Sequence, residues 1–179
     1  KYRGKLSVQE YCQGIRVIKT YASANYGQGF LDRMKNYLSF MFCAILVGLS
    51  LRGSYDAVFA SSPSLFVGLA GYILALFKRG RFVLEVRDLW PQSAVELGFL
   101  QNRYIIFLAQ KLEIFLYRKA KAIIALTAGI KDTIAQMIKN PEKVSLITNG
   151  VDEDIFRDPE PVDFNKISGL ENKFIAIYT

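Results

Sequence analysis

The spacing of apolar and polar residues changes period several times along the chain. Residues 14–20 (GIRVIKT) alternate, which is the period-two pattern of a half-exposed strand. The spacing then turns helical through Leu31, Met34 and Leu38. It runs into an almost solid apolar stretch that ends at Leu51, before Arg52-Gly53-Ser54. Residues 56–60 (DAVFA) form a short apolar run closed by Ser61-Ser62-Pro63, which predicts a buried strand. Ser64 stands where a cap would open a helix over 65–77, and Lys78-Arg79-Gly80 stops it. A second apolar strand is predicted over 81–86. Helical spacing follows over 103–119 through Ile105, Leu108, Leu112, Phe115 and Leu116. Residues 122–126 read as a strand, Thr127 as the cap of a helix over 129–139, and 144–148 as the last strand before a polar stretch.

Strands joined by helix-length connections predict an α/β fold: a doubly wound, Rossmann-like parallel sheet. The strand over 14–20 is expected to be its first member. Residues 152–165 are acidic and proline-spaced, as a linker would be, and KFIAIY begins a fresh strand near the end. The expected organisation is one domain over 1–151, truncated at its start, a linker over 152–172, and the first strand of a further domain over 173–179. Lys1-Tyr2-Arg3 is not a natural start and no signal peptide is visible, so a longer parent protein is expected.

Composition narrows the chemistry. The chain is 51% hydrophobic and 22% charged, which excludes a disordered or collagen-like protein. The long apolar runs, 38–51 and 65–77, fall short of the roughly 18–20 residues of a spanning helix. Residues 1–150 hold 20 lysines and arginines against nine acids, a net +11; the remainder holds three against seven, a net −4. A basic body suits phosphates or anionic headgroups as well as plain solubility. No helix-turn-helix or RNA-module signature accompanies the charge, so nucleic acid is not an expected partner. There is no histidine, which removes every His-based triad, base or metal site, and Cys12 and Cys43 alone do not make a zinc site. Two scattered cysteines fit a reducing cytoplasm.

Ligands of open parallel sheets bind beyond the carboxyl ends of the strands. Those ends are polar here: Ser61-Ser62, Arg87-Asp88, Thr127 and Asn149-Gly150. Helix caps and turns need the same residue types, so Ser64, Thr127 and Asn149-Gly150 also have purely structural readings. No G-x-G-x-x-G and no P-loop follows any strand, which leaves a dinucleotide dehydrogenase or an NTPase unsupported.

The stretches FVLEVRDLWPQSAVELGFL, LEIFLYRKAKAIIALTAGIKD and VSLITNGVDEDIF together resemble the N-terminal domain of family 4 retaining glycosyltransferases of the GT-B fold. YRGKL, GIRVIKTYA, MKNYLSF and SSPSLFVGLAGYILA fit the same subgroup, the bacterial sugar transferases of O-antigen, capsule and exopolysaccharide assembly. The resemblance implies two Rossmann-like domains facing across a cleft, with this chain as the acceptor-side half. It implies a nucleotide-sugar donor held by the other half, no cofactor or metal in this one, and an inactive isolated fragment. The acceptor would be a saccharide or a polyprenyl-pyrophosphate-linked saccharide, which suggests peripheral contact with the inner face of the cytoplasmic membrane through the helix over 31–51.

Carried over residue by residue, Glu85, Arg87, Asp88 and Trp90 match EVRDLWP at the cleft edge, Thr127 matches the T-x-G-I tip, and Asn149, Gly150 and Asp152 match NGVD. Ser61 and Ser62 join them as expected substrate-binding residues, and Asp88 is the expected catalytic carboxylate. Its alternatives are pairing with Arg87 or capping the Trp90-Pro91 turn. The family often has Glu where Ala128 stands, and other branches place a histidine at the cleft. The implied chemistry is transfer with retention, in which the protein supplies positioning and electrostatics. The competing readings are a nucleotide-sugar 2-epimerase of the same fold and a non-catalytic, Rossmann-like anion-binding module.

Overall fold

The computed structural model describes residues 4–23 and 30–150. The chain divides into two units, Lys1–Thr148 and Asn149–Thr179. In the second unit only Asn149 and Gly150 are described, and both are exposed. Asp152, the expected linker, the strand at 173–179 and the turn over 25–29 lie outside the described residues.

The first unit opens with a hairpin, β1 (Ser7–Cys12) and β2 (Ile15–Thr20), paired antiparallel with Cys12 opposite Ile15. This corrects the expected place of the strand over 14–20, which is not a member of the parallel sheet. The reason is local. Gln13 and Gly14 both take positive φ, 49° and 81°, the pattern of a two-residue turn that returns the chain on itself. Lys19 Nζ meets Glu10 Oε2 at 2.6 Å across the pair.

Helix α1 (Phe30–Ser50) leads into a four-stranded parallel sheet: β3 (Ala57–Ser61), β4 (Arg81–Val86), β5 (Ala122–Ala125) and β6 (Val144–Leu146), in that spatial order. Helices α2 (Leu65–Lys78), α3 (Gln92–Glu96), α4 (Arg103–Lys119) and α5 (Ala128–Ile138) fill the connections. The predicted α/β fold, a parallel sheet flanked by helices, is thus the observed one. The short α3 had no counterpart in the sequence reading.

Side chains alternate between the two faces of the sheet. Ala60, Phe82, Leu84, Val86, Ile123, Ala125 and Val144 point to one face and are buried. Leu65 and Ala75 of α2, Leu116 and Tyr117 of α4 and Ile134 of α5 close over them to form the core. Helix α2 approaches closely: a Cβ added at Gly71 would sit 2.6 Å from Ala60 Cβ, and one at Gly68 would sit 3.0 Å from Leu116 Cδ1. Phe59, Ser61, Val83, Glu85 and Ile124 occupy the other face and are at most half-buried.

The helix ends follow ordinary capping. Asn102 Oδ1 accepts from the backbone N–H of Tyr104 and Ile105 to open α4, and Thr127 Oγ1 accepts from Ile130 N at 3.2 Å to open α5. Arg79 ends α2 in the left-handed region. Ser64 is the exception. It occupies the cap position of α2 but makes no side-chain cap bond, which corrects its expected role.

Candidate functional site

The register between β3 and β4 builds the polar edge. Ser61 lies directly opposite Glu85, and the chain continues in register for one more bond, from Ser62 N to Glu85 O at 2.9 Å. Ser61 Oγ donates to Glu85 Oε2 on the less covered face of the sheet. The next residue turns the other way: Ser62 is buried, and its Oγ accepts from Arg87 N at 3.3 Å. The backbone of Arg87 is therefore tied to β3 while its guanidinium stays exposed.

Asp88 is exposed and sits on the helix side of the edge, where it lines a small cavity with Ser62, Ser64 and Tyr117. Arg87 and Asp88 form no ion pair with each other among the described residues. Trp90 is half-buried and turns towards α1. It shares a cavity wall with Met34, Tyr37, Phe99 and Leu100, and the bond from Trp90 to Pro91 is cis. Thr127 stands one strand away, past the end of β5, with its hydroxyl oxygen engaged in the cap of α5.

The structure thus brings Ser61, Ser62, Glu85, Arg87 and Asp88 together at the adjoining ends of β3 and β4. Trp90 packs against the core. Asn149 and Gly150 belong to the second unit, and Asp152 is outside the described residues. No group of three or more His, Cys, Asp or Glu residues able to hold a metal occurs among the described residues.

Residues 22–155, most of this domain and well over half of the chain, match Glycosyltransferase Family 4. The chain belongs to that family. No curated protein matches it. Among the described residues no helix of this family 4 domain is long and apolar enough to cross a membrane.

Two residues behind the edge escaped the sequence reading. Glu113 and Tyr117 lie one turn apart on the buried face of α4, and Tyr117 Oη donates to Glu113 Oε1 at 2.9 Å. Glu113 is only 5% exposed. Burial pushes its carboxyl up to about 7, against a smaller opposing effect of the Tyr117 hydrogen bond. Burial, and then the charge and hydrogen bond of Glu113 and the charge of Asp88, hold the Tyr117 phenol firmly protonated. The available signal was a carboxylate on the apolar stripe that runs through Leu112 and Leu116, with a tyrosine four residues on.

The edge of this family 4 domain therefore presents an exposed cation, an exposed carboxylate and two serines anchored by backbone register. Such an edge can orient hydroxyl groups and phosphates by hydrogen bonds and charge.

Glu113 sets a pH dependence of stability. Between about pH 4.5 and 7 the unfolded chain releases this proton and the folded chain keeps it, so stability falls as pH rises and levels off above 7. The loss is on the order of 3 kcal/mol. Glu113→Gln is expected to match the wild type at pH 5 and to exceed it at pH 8, by urea denaturation at both values. Equal stability at pH 8 would contradict the assignment.

Proposed function

We propose that this domain is the acceptor-binding half of a retaining glycosyltransferase, which moves a sugar from a nucleotide-sugar donor to a saccharide acceptor in cell-surface polysaccharide assembly. The reading rests on one observation above the others: the family match spans a sheet whose carboxyl edge gathers Ser62, Glu85, Arg87 and Asp88. In this reading Asp88 faces the acceptor hydroxyl and steers it or accepts its proton, and Arg87 neutralises phosphate oxygen. Ser61, held by Glu85, and Ser62 border the sugar. A carboxylate acting as general base supplies roughly 10²–10⁴-fold in rate. Asp88→Asn in the complete transferase is expected to lower kcat by about that factor while leaving donor KM unchanged, measured with nucleotide-sugar donors and a lipid-linked saccharide acceptor. Full turnover in a folded Asp88→Asn protein would rule the role out.

A lipid-linked acceptor brings the domain to a membrane surface. The outer sides of α1, α2 and α4 support this. Phe42 and Leu46, Leu76 and Phe77, and Phe107 and Leu108 are all exposed. Helix α2 has no charged residue before Lys78. The three helices carry seven lysines and arginines against two acids, Asp32 and the buried Glu113. Lys111 stands 5.3 Å above the Phe107 ring and Lys119 5.8 Å above Phe115. Aromatic and aliphatic groups interleaved with cations suit an anionic lipid interface. The chain is expected to sediment with vesicles containing phosphatidylglycerol at low salt, less so with neutral vesicles, and to be weakened by Phe107→Ser with Leu108→Ser. No binding to anionic vesicles at low salt would remove this part of the reading.

A further inference from the structure

The hydroxyl of Tyr117 has one proton to give, and it feels the charge of two carboxylates. Glu113 Oε1 receives it at 2.9 Å. Tyr117 also shares a small cavity with Asp88, Ser62 and Ser64, and the Asp88 charge acts on the phenol. This cavity, of about 10 Å³, has room for a single water. Ser64 Oγ is buried beside it without a hydrogen-bond partner. A buried hydroxyl without a partner costs about 1–3 kcal/mol, so the group is under pressure to find one. Glu113 also borders a larger cavity, of about 500 Å³, between α3, α4 and α5.

We infer that Tyr117 is a positioning residue for Asp88, and that the state of Glu113 decides which carboxylate receives the Tyr117 hydroxyl. With Glu113 ionised, the hydroxyl donates to Glu113, and its oxygen is free to accept from Ser64 or the cavity water. Asp88 then stays at the exposed edge. With Glu113 protonated, that carboxyl carries its own donor and makes a weaker acceptor. The stronger bond available to the Tyr117 hydroxyl is then to the Asp88 carboxylate, since a hydrogen bond to a charged oxygen is roughly twice as strong as a neutral one. Asp88 is drawn inwards against Tyr117. No bond is made or broken beyond the proton that Glu113 exchanges with solvent through the larger cavity.

The surroundings leave Glu113 as the group that switches. The larger cavity presents Glu96, Gln92 and Val95 from α3, Gln110 from α4, Thr133 and Met137 from α5, and Leu89 and Pro91 from the edge. Among the described residues Glu96 is the only other charged group there, and its Oε1 is held by Gln92 Nε2 at 2.8 Å. Helix α2 contributes Ser64, Leu65 and Gly68 on the small-cavity side, none of them titratable. Among the described residues no basic side chain lines either cavity. Burial places the Glu113 changeover near neutral pH.

The consequence for sugar transfer rests on the role proposed above for Asp88; the positioning itself does not. The test follows the side-chain carboxyl carbons of Asp88 and Glu113 by ¹³C NMR between about pH 5.5 and 8.5, in the wild-type chain, Glu113→Gln and Tyr117→Phe. The expected result is an inflection of the Asp88 signal near pH 7 that coincides with the Glu113 titration and is lost in both variants. In Tyr117→Phe, Glu113 still titrates and Asp88 no longer follows. An Asp88 signal that is flat through pH 7, or an inflection that survives Glu113→Gln, would overturn the inference. Glu113→Gln keeps an acceptor for Tyr117, so it decides the matter even where Tyr117→Phe does not fold. Normal transfer by Asp88→Asn would remove the catalytic reading and leave this titration standing.

Discussion

The parallel register of β3 against β4 organises both sides of the sheet. It sets Ala60 beside Leu84 in the core and Ser61 beside Glu85 at the edge, and the bond from Ser62 N to Glu85 O carries it one residue past β3. Shifting the register by one residue would move every side chain of a strand to the opposite face. The apolar residues would leave the core, and Ser62 would no longer meet the backbone of Arg87. Close packing of α2 makes such a shift costly. Gly71 lies against Ala60 and Phe82 with no room for a Cβ, and Gly68 lies close against Leu84 and Leu116.

From that anchor the polar edge divides between two environments. Ser61 and Glu85 face the less covered side of the sheet, where water and ligands have access. Ser62, Ser64 and Tyr117 are buried against the helix layer, where the dielectric is low and each hydrogen bond weighs more, while Asp88 borders the same small cavity from the exposed edge. Glu113 then joins the edge to the outer layer. It is a buried carboxyl that accepts from Tyr117, and among the described residues no cation lines the cavity beside it. Its raised pKa expresses the cost of that burial.

Much of this was legible in the sequence. The four strands of the parallel sheet are short apolar runs that stop at polar residues, and their ends were read from Ser61-Ser62, Arg87-Asp88 and Thr127. The motif around Asp88 pointed to the family that the comparison then showed. Other features were not legible, for definite physical reasons. The alternation over 14–20 specifies a strand but not its partner; the turn at Gln13-Gly14 decides that, and it gives an antiparallel hairpin. A serine before a helix predicts a cap, and Thr127 makes one, whereas Ser64 is turned into the core. The sequence placed Trp90 beside Asp88, but not the cavity wall that it shares with Met34 and Tyr37 of α1. Glu113 and Tyr117 resembled ordinary members of an amphipathic helix. Only the packing of α4 brings Tyr117 into the small cavity that Asp88 lines.

The central claim is that the β3–β4 edge receives the acceptor. The most direct test is backbone amide shift mapping of the ¹⁵N-labelled chain, titrated with a short-chain prenyl pyrophosphate-linked saccharide. The largest changes are expected to cluster at 61–65 and 85–88, with Tyr117 responding behind them. Changes confined to the cavity between α3, α4 and α5, or no saturable change in the folded chain, would contradict it.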